Sequence, residues 1–319
     1  MLELLRLIQD GTFHSGEALG RQLGISRAAV WKQIQQLELQ HHVAIHRVRG
    51  RGYRLAEPLV LLDHEKIDDN ALHLESVIVR EVLDSTNAES LRLVANGLSA
   101  PFIVLAEQQL AGRGRRGREW VSPCAENIYY SLVLRLDQGA RMLEGLSLVV
   151  GLATLRMLRE AGIDAAGLKW PNDILVGNQK IAGILLELMG DPADICHVVI
   201  GIGINVNMAA GSNAIDRPWT SLLLSTGCRH DRNHLVSRLN GFLAYYLSQQ
   251  SEFGFAVLLD EWEREHLWQG RQVVLSAGAE PVYGQVLGIH ADGALRLLVD
   301  GREHRISGGE LSLRLHDDT

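Results

Sequence analysis

The sequence predicts an α+β multidomain protein with a small N-terminal winged helix-turn-helix (1–60), a central α/β domain (61–268) and a small C-terminal unit of antiparallel strands (269–319). Three observations predict it. At roughly 150 residues per domain, 319 residues are about two domains with room for a small third. Charge is unevenly divided along the chain. Apolar spacing is helical at the start, mixed in the middle and that of short strands at the end.

The formal net charge of −7, taken whole, points away from nucleic acid. Residues 1–57 nevertheless hold eight bases (Arg6, Arg21, Arg27, Lys32, Arg47, Arg49, Arg51, Arg54) against five acids (Glu3, Asp10, Glu17, Glu38, Glu57), which is +3. Of the total of 31 bases and 38 acids, 23 and 33 remain for the rest, which is −10. A basic head on an acidic body suits a polyanionic partner. The balance of 46% hydrophobic and 22% charged residues excludes disorder, collagen or coiled coil as the dominant character. Cys124, Cys196 and Cys228 form no CxxC pair, so neither a disulfide framework nor a metal site is expected. The uncharged run Gly145–Leu155 is too short for a membrane helix, and Glu3 and Arg6 interrupt any signal peptide. A reduced cytoplasmic setting without a membrane partner is expected.

In the head, Leu4, Leu7 and Ile8 make a helical stripe that Gly11 closes. Ser15 caps a second helix with Leu19 and Leu23 inside and Gly24 as its left-handed stop. Ile25 fills the turn and Ser26 caps a third helix, with Val30, Ile34 and Leu37 on one face and Arg27, Ala28, Lys32 and Gln35 on the other. Residues 43–49 and 52–55 read as a hairpin, or wing, with Gly50-Arg51 at its tip. On DNA, Ser26, Arg27 and Ala28 would reach base edges while Lys32, Arg49 and Arg51 take phosphates. The other reading is a small interaction module whose charges form a solvated face. Pro58 to Asp69 reads as a linker.

In the middle, Asp84-Ser85-Thr86-Asn87-Ala88-Glu89 spells a capping box with Thr86 and Glu89 as partners, or else a set of hydroxyls and an amide for a polar head group. The strand Phe102–Ala106 leads into Gly112-Arg113-Gly114-Arg115-Arg116-Gly117, literally GxGxxG, with Asp137 twenty residues beyond. A dinucleotide fold needs a helix to open on the last glycine, and here a new strand, Ile128–Leu136, follows instead. Glycines interleaved with arginines suit a mobile loop that wraps a phosphate, a second DNA contact or plain surface. No GK[ST] follows, so it is not a Walker loop.

A helix from Met142 to Ala161, stopped by Gly162, precedes Lys169, which ends a short strand and is held by Pro171. Lys169 is either a fixed functional cation or one of the many solvated lysines. Asp173–Val176 and Ile181–Met189 pair across Gly177-Asn178. The strand Val198–Asn205 carries small residues near its end, where a flat ligand could approach the backbone. At the C-terminal end, 271–275, 282–289, 295–300 and 304–306 alternate as strands, with Asp292-Gly293 and Asp300-Gly301 as turns.

Ser85-Thr86-Asn87, Gln109 with Gly112–Gly117, Lys169-Trp170-Pro171-Asn172-Asp173, Lys180–Leu185 and Gly201–Asn205 together resemble the ordered signature of biotin protein ligases. With the N-terminal module, the whole chain resembles the bifunctional kind, a biotin–[acetyl-CoA-carboxylase] ligase that also represses the biotin operon. The resemblance implies a central mixed-sheet ligase domain like that of class II aminoacyl-tRNA synthetases and a C-terminal SH3-like β-barrel. It implies synthesis of biotinyl-5′-AMP from biotin and ATP, with Mg²⁺ on the ATP and no protein-bound metal, then transfer of biotin to a lysine of the biotin carboxyl carrier protein. Lys169 and Arg115 would be catalytic, and Ser85, Thr86, Asn87, Gln109, Arg113 and Gly114 would join them around biotin. Arg115, Arg116, Trp120, Asn172, Asn205 and Trp219 would hold the nucleotide. Operator DNA and a second copy, in a ligand-promoted homodimer, complete the expected partners. The competing functions are a ligand sensor without ligase activity and a lipoate or octanoyl ligase.

Overall fold

The computed structural model describes residues 2–41, 43–57, 59–137, 143–191, 194–209, 215–276, 281–307 and 311–316. Its head folds as α1 (Leu2–Ile8), α2 (Gly16–Leu23), α3 (Arg27–His41), β1 (Ile45–Val48) and β2 (Gly52–Leu55). The Ser15 hydroxyl accepts from Ala18 N (3.1 Å), Gly24 is left-handed at φ 65°, and the Ser26 hydroxyl accepts from Ala29 N (3.2 Å). Gly20 lets the turn pass close, since a Cβ there would lie 2.7 Å from the Ile25 carbonyl oxygen. The wing gains a short third member where His14 and Tyr53 exchange backbone hydrogen bonds of 2.8 and 2.9 Å.

The body is built on a seven-stranded mixed sheet in the order β3-β4-β5-β9-β8-β7-β6. These strands are β3 (Ser76–Leu83), β4 (Phe102–Gln109), β5 (Ile128–Leu136), β6 (Ala166–Lys169), β7 (Asp173–Val176), β8 (Gln179–Gly190) and β9 (Cys196–Ile204). Among the described residues β3–β4 is the only parallel pairing between strands of this sheet. Alternation along β4 sorts the two faces. Phe102 and Val104 pack toward α4 (Thr86–Ala95), whereas Ile103 and Leu105 join the main core beneath α5 (Leu146–Glu160) and α7 (Arg232–Phe253). A short α6 (Leu222–Thr226) precedes α7, and α8 (Leu259–Glu265) leads out of the body. Met142, the expected start of α5, lies outside the described residues, as does Pro58.

Two local expectations are corrected. Thr86 is the first residue of α4 rather than its cap, and its hydroxyl donates to Gln109 Oε1 (3.2 Å) instead of closing a capping box with Glu89. The span after Pro58 is not a loose linker. Leu61 is buried in the core of the head and Leu62 in that of the body. Arg232 donates to Val60 O (2.9 Å), Asn233 Nδ2 donates to Leu61 O (3.0 Å), Leu62 N donates to Glu107 Oε1 (2.6 Å) and Asp63 N donates to Asn233 Oδ1 (2.8 Å). Buried Arg232 and Glu107 also pair with each other at 2.6 Å, which satisfies two charges that burial would otherwise penalise.

The C-terminal unit is a five-stranded antiparallel sheet, β13-β12-β11-β10-β14, of β10 (Gln272–Ser276), β11 (Pro281–Ile289), β12 (Leu295–Val299), β13 (Arg302–Ile306) and β14 (Ser312–Leu315). A barrel would need β13 to meet β14; among the described residues no pairing joins them, and the sheet is open.

Candidate active site and nucleic-acid interface

A cavity of about 570 Å³ opens against β5, β8 and β9 and is lined by every non-DNA residue singled out above: Ser85, Thr86, Asn87, Gln109, Arg113, Gly114, Arg115, Arg116, Trp120, Lys169, Asn172, Asn205 and Trp219. Three structural groups bring them together.

The first is the buried N-terminus of α4. Thr86 N donates to Gln109 Oε1 (2.8 Å), and Gln109 Nε2 donates to the Ser122 hydroxyl (3.1 Å). The Ser131 hydroxyl on β5 lies 2.8 Å from Thr86 Oγ1 and 2.6 Å from Asn87 Oδ1. Asn87 Nδ2 donates to Glu187 Oε2 (2.8 Å), whose other oxygen is 3.5 Å from Arg113. Each amide and hydroxyl orients the next, producing a fixed polar wall.

The second group is the Gly/Arg segment, which is folded back on itself. Trp120 N donates to Gly112 O (2.8 Å) and Gly114 N to Arg118 O (2.7 Å), around a single 3₁₀ turn at Arg115–Gly117. No helix opens on Gly117, in keeping with the exclusion of a dinucleotide fold. Arg115 donates to Asn172 Oδ1 (3.0 Å), while Asn172 Nδ2 donates to Ile184 O (2.7 Å). Burial lowers the Arg115 pKa; Asp173 opposes this and Arg116 adds to it. Arg113 and Arg116 are exposed. The flat group against β9 belongs to the protein: a Cβ on Gly203 would lie 2.5 Å from the Trp120 indole, and Asn87 fills the space over Gly201. Gly201 and Gly203 nevertheless line the cavity beside these side chains.

The third group surrounds Lys169. Its ammonium lies 3.9 Å from Asp173, which pairs with Lys180 at 2.5 Å. Burial holds the Lys169 pKa below the usual lysine value, with Lys180, Arg217 and Arg314 adding repulsion against the pull of Asp173. Burial acts to raise the Asp173 pKa, but Lys180 and Lys169 outweigh it and keep the carboxyl below its ordinary value. Asn205 is buried and donates to Thr220 O (2.9 Å), closing the segment that carries half-buried Trp219 beside Lys180. Asp173 and Lys180 lay within quoted motifs without a role. Ser131, Arg217, and Leu311 and Leu313 of the β14 region arrive from distant sequence and carried no motif. Among the described residues no group of three or more His, Cys, Asp or Glu could hold a metal, and no helix is long and apolar enough to cross a membrane.

On the head, Arg27, Ala28 and Lys32 are exposed on α3 with Ser26 exposed at its cap, and Arg49 and Arg51 are exposed at the wing. Arg51 stacks 4.5 Å above the Phe13 ring, and Arg47 is paired with Glu38.

Sequence models of three families match: the biotin/lipoate A/B protein ligase family over residues 79–205, an HTH domain over 1–54 and the biotin protein ligase C terminal domain over 270–314. Bifunctional ligase/repressor BirA of Salmonella typhimurium is 41% identical over 98% of this chain and 97% of its own. Biotin–[acetyl-CoA-carboxylase] ligase of Paracoccus denitrificans is 40% identical over 67% of this chain and 90% of its own. The structure of a biotin protein ligase from Aquifex aeolicus in complex with biotin and ATP is similar at a TM-score of 0.67 and 30% identity, covering 76% of this chain and 99% of that one.

Proposed function

Because the chain belongs to the biotin protein ligase family, and to its bifunctional ligase/repressor kind, we propose that its cavity makes biotinyl-5′-AMP and its head carries that signal to DNA. The protein is an ATP-dependent biotin–[acetyl-CoA-carboxylase] ligase and a DNA-binding repressor. The observation that carries the catalytic reading is the convergence of Lys169, Arg115 and the Ser85–Gln109 wall on one cavity.

A carboxylate oxygen of biotin attacks the α-phosphorus of ATP and pyrophosphate leaves. Two anions must meet, so fixed cations matter most. Ser85, Thr86, Asn87 and Gln109 hold the biotin head, with Arg113 and Gly114 closing over it. Arg115 and Lys169 stand at the carboxylate–phosphate junction. Arg115 and Arg116 take phosphate, Asn172 and Asn205 steady the nucleotide, and Trp120 and Trp219 flank adenine. Mg²⁺ arrives on the triphosphate. In the second step a lysine amine of the biotin carboxyl carrier protein attacks the acyl carbon of the mixed anhydride and AMP leaves, while the Gly/Arg segment excludes water.

Biotinyl-5′-AMP acts as corepressor by favouring a homodimer whose two heads meet a two-fold operator through Ser26, Arg27, Ala28, Lys32, Arg49 and Arg51. The units are 1–60, 61–268 and 269–319, the central one of the class II synthetase-like type and the last of the SH3-like type with its sheet left open between β13 and β14 among the described residues, and the setting is cytoplasmic. Biotin-dependent ATP–pyrophosphate exchange, run with lipoate and octanoate as competitors, tests the substrate. Exchange driven by lipoate rather than biotin would sink the biotin assignment. Mass spectrometry of a carrier domain incubated with protein, ATP and biotin distinguishes a ligase from a sensor.

A further inference from the structure

We propose that Trp268, contributed by the segment entering the C-terminal unit, is a positioning residue that fixes the Lys169 ammonium at the reaction centre. The inference rests on the catalytic reading of Lys169 and deepens it. β6 is the last strand of the central sheet, with only four residues, and its outer edge would be open. Residues 266–268 cover that edge: His266 bridges to Leu168, and Leu267 N donates to Leu168 O at 2.9 Å. The next residue, Trp268, is 6% exposed and places its ring centre 4.7 Å from Lys169 Nζ. In the turn after β6, Trp170 Nε1 donates to Gly293 O in the β11–β12 turn of the C-terminal unit (3.0 Å).

A lysine side chain is a flexible stem carrying a point charge, and loses its catalytic value if the charge wanders. Here Lys180, Arg217 and Arg314 repel the ammonium while Asp173 attracts it from β7 and is itself shared with Lys180. The negative face of the indole supplies attraction from the opposite element without a second carboxylate that would repel ATP. The segment that leads into the C-terminal unit thus completes the active site by holding a group that β6 supplies.

The test uses the full chain. Its four lysines, Lys32, Lys66, Lys169 and Lys180, give four ε-methylene signals after ¹³C labelling, with Lys169→Arg assigning the one of interest. The expected result is an upfield ring-current shift of the Lys169 signal that Trp268→Leu abolishes and Trp268→Phe retains in part. In pH profiles of biotin-dependent pyrophosphate exchange, losing the ring disfavours the ammonium. The alkaline limb of Trp268→Leu therefore moves down by about half a pH unit to one unit, and Trp268→Phe restores most of it. An unshifted Lys169 signal in the wild type, or an unchanged alkaline limb in Trp268→Leu, overturns the proposal. A mere packing defect lowers the rate at every pH and moves no limb. Full exchange by Lys169→Ala, alongside a shifted Lys169 signal in the wild type, overturns the catalytic reading instead, so the two failures are distinguishable.

Discussion

At the scale of the residue, Lys169 and its neighbours separate catalysis from stability. Removing Lys169 still leaves Asp173 paired with Lys180, so no carboxylate is stranded. Lys169→Ala is expected to lose about 10²–10³-fold or more in adenylation rate while its thermal midpoint stays near that of the wild type; normal turnover in pyrophosphate exchange would refute the role. His266 sets a different dependence. Burial lowers its pKa from 6.5 to about 4, and Trp170 N donates to its Nε2 (3.5 Å), a bond that needs the neutral ring. The unfolded chain therefore takes up a proton that the folded one refuses between pH 6.5 and 4, and stability present above that window is lost as pH falls through it. The loss is about 3 kcal/mol at most. Urea titrations at pH 7 and 4 should show it shrink in His266→Gln. Ser85, Thr86, Asn87, Gln109, Arg115 and Lys169 were legible in the sequence because each sits in a local motif. Ser131, Arg217 and Trp268 were not, because only strand register and domain packing bring them near.

At the scale of the element, the glycines of β9 and the arginines of the wing carry the testable content. Gly203 pairs with Tyr129 on one side and Gly183 on the other, which leaves a strip of bare backbone for the Trp120 indole. Gly203→Val should expel that indole, visible as a changed tryptophan emission, and raise the KM for ATP about tenfold, in keeping with about 1–3 kcal/mol for overpacking. Unaltered emission and KM would remove Trp120 from the nucleotide site. In the wing, Phe13 beneath Arg51 holds the guanidinium out toward solvent. Arg51→Ala should weaken operator binding and reduce the slope of log K against log salt by about one, as loss of one phosphate contact does. An unchanged slope would take the wing out of the interface. The helix-turn-helix was readable from Ser15, Gly24 and Ser26 because caps and stops are local chemistry. The apparent capping box at Thr86 misread the same signal, since a tertiary partner, Gln109, claimed the hydroxyl first.

At the scale of the whole molecule, the division of charge into a basic head and an acidic body foretold two functions in one chain. Sedimentation with and without biotin plus ATP should show a shift from monomer to dimer, and an unchanged monomer would contradict adenylate-driven assembly. The boundary between head and body was legible in composition but not in packing. Leu61 and Leu62 belong to different cores, and Arg232, Asn233 and Glu107, far apart in sequence, clamp the backbone between them. Cys124 and Ala125 of the body are buried in the core of the head. Burial there pushes the Cys124 thiol up to about 12, which makes it inert toward alkylating reagents. Deleting residues 1–60 therefore does more than remove a DNA reader: it unroofs this sulfur and turns a silent atom into a nucleophile, so the enzyme without its head is a chemically different surface rather than a shorter copy of the same one.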